Sequence, residues 1–179
     1  MELIARYERG EFFSQDSIRQ EGEQYRTSIG RIVYGGGGIT PDIFVPEDTT
    51  ALTTYYREAV MTGLIRQFAF AYSDENREKL TKLRTAERME QFLRRENLLE
   101  KFAQFGEKHQ LRRRNLMLQK SRPLFERNIY GTIIYNVGEM KDYLMFLGKD
   151  DPVVIKAREI LDEGKSFPEV KDEEVKNEE

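Results

Sequence analysis

Residues 54–72 read TYYREAVMTGLIRQFAFAY. Tyr56, Val60, Leu64, Phe68 and Tyr72 recur there every four residues, and Ala59 and Ala71 fill the same stripe. Side chains four apart share one face of an α-helix, so the spacing predicts an amphipathic helix whose stripe faces a core. Helical spacing then continues to Gly164. A segment from Glu75 to Leu83 has Ser73-Asp74 as its expected cap, and Thr85 caps one carrying Met89, Phe92 and Leu93. Leu98, Leu99, Phe102 and Phe105 extend that stripe towards a stop at Gly106, and a long segment runs from Arg112 to Val137. Pro123 has no N–H to give, so it kinks that segment or starts a new helix. The stripe resumes at Met140, Tyr143, Leu144 and Leu147 and breaks at Gly148. Asp151-Pro152 reads as an N-cap followed by proline at the first helical position; Val153, Ala157, Ile160 and Leu161 supply the expected buried face, and Gly164 the end.

The residues before Thr49 are different in kind. Tyr25-Arg26-Thr27 and Arg31-Ile32-Val33-Tyr34 are β-prone runs separated by Ser28-Ile29-Gly30, where Gly30 supplies the positive φ of a three-residue hairpin loop. Ile43-Phe44-Val45 is a third expected strand, closed by Pro46. The last fifteen residues, Lys165 to Glu179, hold six acids, three lysines and few apolar side chains, the composition of a disordered tail. The expected fold is therefore α+β and mostly α. Its parts are an incomplete β segment over 1–48, a multi-helix bundle over 49–164 and the acidic tail over 165–179.

Composition narrows the chemistry. The chain carries 29 Lys+Arg against 32 Asp+Glu, a net charge of −3, which the tail alone accounts for. Without cysteine there is no disulfide, no thiol nucleophile and no thiolate metal site, and one histidine, His109, cannot complete a catalytic metal shell; no cofactor is expected. The apolar runs at 68–72 and 143–147 fall far short of the roughly 20 residues that cross a bilayer, and the first residues show neither a transmembrane segment nor a secretion signal.

Gly35-Gly36-Gly37-Gly38 invites a phosphate-loop reading, but Ile39-Thr40-Pro41-Asp42 leads into another extended segment where a helix N-terminus should stand. A flexible or tightly turning link between strands suits the four glycines better. Lys120 and Ser121 are neighbours on a helical segment, so their side chains diverge by about 100° and form no Ser–Lys dyad. The other serines lack a strand-to-helix elbow. Lys108, Arg112, Arg113, Arg114, Lys120, Arg122 and Arg127 make a basic stretch, without the interleaved aromatics of a nucleic-acid surface; it reads as a solvated face, and no nucleic-acid partner is expected.

Tyr25, Thr27, Gly30-Arg31, Val33-Tyr34-Gly35-Gly36-Gly37-Gly38-Ile39 and Pro41-Asp42 together resemble the end of the protease core in carboxy-terminal processing peptidases, the tail-specific serine peptidases of family S41 in their Bacteroidetes-type form. The Gly30, Arg31, Gly35–Gly38, Pro41 and Asp42 pattern carries the likeness, and Asp151-Pro152-Val153 resembles the end of that subgroup's helical extension. The resemblance implies a periplasmic or envelope endopeptidase that uses a Ser–Lys dyad and binds substrate C-termini through a PDZ domain. Its catalytic serine, lysine and PDZ domain would lie upstream of Met1, so no position here matches a catalytic residue. The partners it implies are the remainder of the peptidase and the parent's protein substrates. A freestanding helical interaction module is the competing expectation, and strands missing their sheet predict either a strand-paired homodimer or a mobile N-terminal arm.

With no serine–base pair to assemble, the isolated chain should hydrolyse no unfolded protein substrate. Turnover that survives repurification and disappears on replacing one of its six serines would overturn that expectation.

Overall fold

A computed structural model describes residues 7–10, 14, 23–28, 30, 32–35 and 41–164. The chain divides into two compact units, residues 1–48 together with 156–179, and residues 49–155. The division falls within the last helix, and the expected tail over 165–179 lies outside the described residues.

In the first unit, β1 (Gln24–Arg26) pairs antiparallel with β2 (Ile32–Tyr34), with Tyr25 opposite Val33. Gly30 takes φ +84° as the hairpin requires. The loop is longer than expected, since Thr27 leaves the ladder and its carbonyl accepts from the Gly30 N–H at 3.0 Å. Ile43-Phe44-Val45 is not a strand: the two-stranded sheet offers it no partner among the described residues, and Pro41 and Pro46 bracket it.

The second unit is helical. Its elements are α1 (Thr54–Met61), α2 (Leu64–Glu75), α3 (Arg77–Thr81), α4 (Ala86–Arg95), α5 (Leu98–Lys108), α6 (Asn115–Lys120), α7 (Arg122–Val137), α8 (Met140–Lys149) and the start of α9 (Pro152–Asp162). The helix expected over 56–72 is two helices, broken at Gly63, whose φ of +71° no L side chain adopts cheaply. The break resets the stripe. Tyr55 and Ala59 are buried where Tyr56 is half-buried and Val60 exposed, and past the break Leu64, Phe68 and Tyr72 are buried but Ala71 is not.

Thr85 caps α4 as expected, accepting from the Arg88 N–H at 3.4 Å. Pro123 begins α7, and Asp151 caps α9 by accepting from the N–H groups of Val153 and Val154 at 2.9 and 3.3 Å. Other expectations fail. Ser73 caps nothing: it is buried inside α2 and donates to the Ala69 carbonyl at 2.7 Å. Gly106 does not stop α5 but lies within it, where Leu111 folds back so closely that a Cβ would meet its side chain at 3.2 Å. The turn itself comes at Gln110, which among the described residues has positive φ together with Arg84 and Asn97, each at a junction between helices. On α8 the buried side is Asp142 and Phe146, with Met140 and Leu144 exposed, and no residue of α9 is buried.

The core lies between Tyr55 and Phe146, wholly inside the second unit. Its centre is a chain of rings: Phe68 of α2 lies 5.7 Å from Phe102 of α5, Phe102 lies 5.0 Å from Phe125 of α7, and Phe125 meets Tyr55 and Tyr56 of α1 at 5.8 and 5.0 Å. A chain from Thr49 to Ile155 should thus fold by itself with a cooperative thermal transition, and Phe68→Ala in it should cost roughly 3–5 kcal/mol. Loss of that transition in the shortened chain, seen by far-UV circular dichroism, would show that the core needs the other unit.

Candidate interaction surface

The sequence-predicted motif residues come together only in part. Gly30 and Gly35 flank β2; the Gly35 N–H donates to the Glu23 carbonyl at 2.8 Å, and a Cβ on Gly35 would stand 2.7 Å from the Tyr25 ring. Pro41 and Asp42 are exposed. Arg31, Gly36, Gly37 and Gly38 lie outside the described residues. What these positions leave is a short ladder with Tyr25, Ile32 and Val33 exposed.

Ser121 and Lys120 diverge as the helical spacing requires. Lys120 is exposed, whereas Ser121 is fully buried and occupied: its hydroxyl donates to the Ala51 carbonyl at 2.6 Å and accepts from the Thr53 N–H at 3.3 Å. Thr53 Oγ1 lies 2.7 Å away and in turn accepts from the Tyr56 N–H, capping α1. Two further polar side chains of α7 act in the same way. Asn128 donates to the Tyr56 hydroxyl at 3.1 Å, and Asn136 to the Ser73 hydroxyl at 3.3 Å. Ser121, Asn128 and Asn136 sit seven and eight residues apart, along one side of the helix, so the three bonds fix the register of α7 against α1 and α2. The role of Ser121 is therefore structural.

The charged groups sort in a similar way. Glu90 of α4 is buried against Arg94, at 2.6 Å, and Lys149 of α8. Burial pushes its carboxyl up, but hydrogen bonds from Lys149 and Arg94 outweigh it and hold Glu90 below the usual carboxylate range. Arg94 also reaches Glu126 at 3.8 Å, which Arg122 meets at 2.7 Å, and burial beside Glu126 pushes the Tyr130 hydroxyl up to about 12. In the basic stretch, Arg113 makes a two-pronged pair with Glu100 at 2.7 and 2.8 Å, and Arg127 donates to the Leu147 carbonyl at 3.0 Å and to Asp151 at 3.4 Å. His109 is a helix cap: its Nδ1 lies 2.8 Å from the Phe105 carbonyl and its ring stacks on Phe105. Glu90 with Arg94 and Arg122 with Glu126 have the i,i+4 spacing of a helix pair, but the bond between Glu90 and Lys149, 59 residues apart, does not show in the spacing.

A shallow groove of about 220 Å³ runs between α1, α7 and α8, lined by Tyr56, Arg127, Asn128, Thr132, Tyr143 and Leu147. It is smaller than the roughly 300 Å³ at which ligand sites begin, and Arg127 and Asn128 are already engaged. Among the described residues no three His, Asp or Glu are grouped to hold a metal ion, and no helix is long and apolar enough to cross a membrane. A family of unknown function, DUF8443, matches residues 55–138, a stretch that begins at the first core residue and ends where α7 does. No curated protein and no solved structure matches the chain.

Glu90 gives the helical unit a pH signature. Its folded value is depressed, so the stability it contributes is complete above about pH 4.5, its ordinary value, and drains away as pH falls through the lowered one. Glu90→Gln should flatten the loss of melting temperature on acidification; a variant as acid-sensitive as the parent would mean that the pair with Lys149 does not hold α4 to α8.

Proposed function

We propose that this chain is the non-catalytic C-terminal region of a tail-specific serine peptidase, in which the hairpin continues the protease sheet and the helical unit braces the core or shapes access to it. The parent's Ser–Lys dyad and PDZ domain would be supplied outside this sequence, and its work would be proteolysis in the periplasm or envelope. The observation that carries the reading is the hairpin. Three residues per strand, with Tyr25, Ile32 and Val33 exposed, form less than the three strands or supporting helix that a sheet needs to stand alone, and Tyr25, Ile32 and Val33 fall in the Tyr25 to Asp42 stretch that resembles the family. Bare strand edges recruit further strands.

A second reading, a freestanding helical interaction module, is favoured by a different observation: among the described residues, every core residue falls between Tyr55 and Phe146, inside the helical unit.

Co-expression separates the two. A family peptidase core that carries its serine, lysine and PDZ domain but ends before the glycine-rich motif should co-elute with this chain and regain proteolysis of an unfolded substrate. Deleting residues 23–35 should abolish both effects. Co-elution that survives the deletion would favour the freestanding module, and no association at all would sink the peptidase reading.

A further inference from the structure

From Lys108 to Phe125 the chain holds six cations and no acid, in a protein that elsewhere mixes the two signs and is net negative. The structure neutralises only two of the six. Arg113 is taken by Glu100, and Arg122 by Glu126. Glu107, the other acid facing this loop, also acts on Arg113. Lys108, Arg112, Arg114 and Lys120 are exposed without a carboxylate partner among the described residues. The exposed Arg114 guanidinium lies against Thr54 Oγ1 at 3.5 Å and Met117 Sδ at 4.0 Å, beside α1 and α6.

Within this basic surface stands Leu116, at 89% the most exposed large apolar side chain described. Lys120 follows it by four residues on α6, so the two share a face, and Met117 lies half-buried beside them. An exposed leucine alone signifies nothing, and neither does a basic run alone. Their coincidence is specific: cations without a carboxylate partner flank one exposed apolar anchor in the chain, Lys120 on its own helix face and Arg114 against the neighbouring thioether, whose adaptable shape suits variable side chains.

We propose that the α6 corner, built from Arg112, Arg114, Leu116, Met117 and Lys120, docks an acidic peptide segment that carries a bulky apolar residue. Charge complementarity selects the acidic partner and steers it, and Leu116 with Met117 receives the apolar side chain. Nucleic acid fits less well, because the patch holds no exposed aromatic ring for a base to stack on. A membrane fits less well too, because α6 has only six residues and too little apolar surface to lie in a bilayer interface. The proposal is independent of the peptidase reading, since all its residues belong to the helical unit.

The test is fluorescence polarisation of a fluorescein-labelled peptide of glutamate and leucine, titrated with the full chain at low salt. Binding should weaken at least about tenfold with Arg112→Glu plus Lys120→Glu, and again on raising salt past the physiological range. Leu116→Ser should weaken it as well, and an all-glutamate peptide should bind worse than the mixed one. Circular dichroism verifies that the variants fold; if the charge reversal does not, Arg112→Gln plus Lys120→Gln takes its place. Failure of the mixed peptide to bind, equal binding by the charge variants, or no difference between mixed and all-glutamate peptides would overturn the proposal. So would a preference for phosphatidylserine vesicles or duplex DNA over the peptide.

Discussion

The ring of Phe125 is the contact on which the helical unit depends. It is fully buried and touches Tyr55 and Tyr56 of α1 and Phe102 of α5 at once, so one side chain ties three helices together. The helix that carries it had to be the central one. Phe125, Ile129 and Ile133 form one buried stripe of α7 and Tyr130 and Ile134 the next, an apolar face wider than the single stripes of α1 or α4. At Gly131 a Cβ would lie only 3.4 Å from the Phe146 ring, so α8 approaches the same helix closely on another side.

A greasy surface of that width specifies little about alignment, since apolar contacts tolerate sliding. Polar groups supply what it lacks. Ser121 finds Ala51 and Thr53 just before α1, Asn128 finds Tyr56 and Asn136 finds Ser73, and a shift of α7 by one residue would strand all three. Glu90 with Lys149 performs the same task between α4 and α8. The register of the bundle is thus written in a few hydrogen bonds and its stability in the rings.

Local signals were legible in the sequence and distant ones were not. Thr85, Pro123 and Asp151-Pro152 act through atoms within a turn of themselves, and each stands where its chemistry places it; so does Gly30. The stripe from Tyr56 to Tyr72 was misread because a step of four residues overshoots a full turn by about 40°, so a long i+4 series drifts around the helix, and a single glycine can restart it. The faces of α8 and α9 were misjudged for another reason. Met140, Leu144, Val153 and Leu161 have the spacing of a buried stripe, but burial is decided by whatever else packs nearby, which spacing does not encode. Of the candidate site, the glycine-rich motif was visible as a pattern and Arg122 with Glu126 has the spacing of a helix pair, while the neutralisation of Arg113 beside still-unpaired Arg112 and Lys120 emerges only when Glu100, thirteen residues earlier, is brought near.

The Ser121 hydroxyl, bonded to Ala51 seventy residues earlier, also has a consequence for the order of assembly. Closing a loop of that length costs chain entropy before it returns any contact energy, and one hydroxyl cannot offset that cost. The clasp therefore relies on other contacts, the Tyr55 and Tyr56 rings against Phe125 among them, to bring the two ends together. A chain emerging N-terminus first would carry its opening segment, Thr49 to Tyr56, unfastened until the start of α7 had been made.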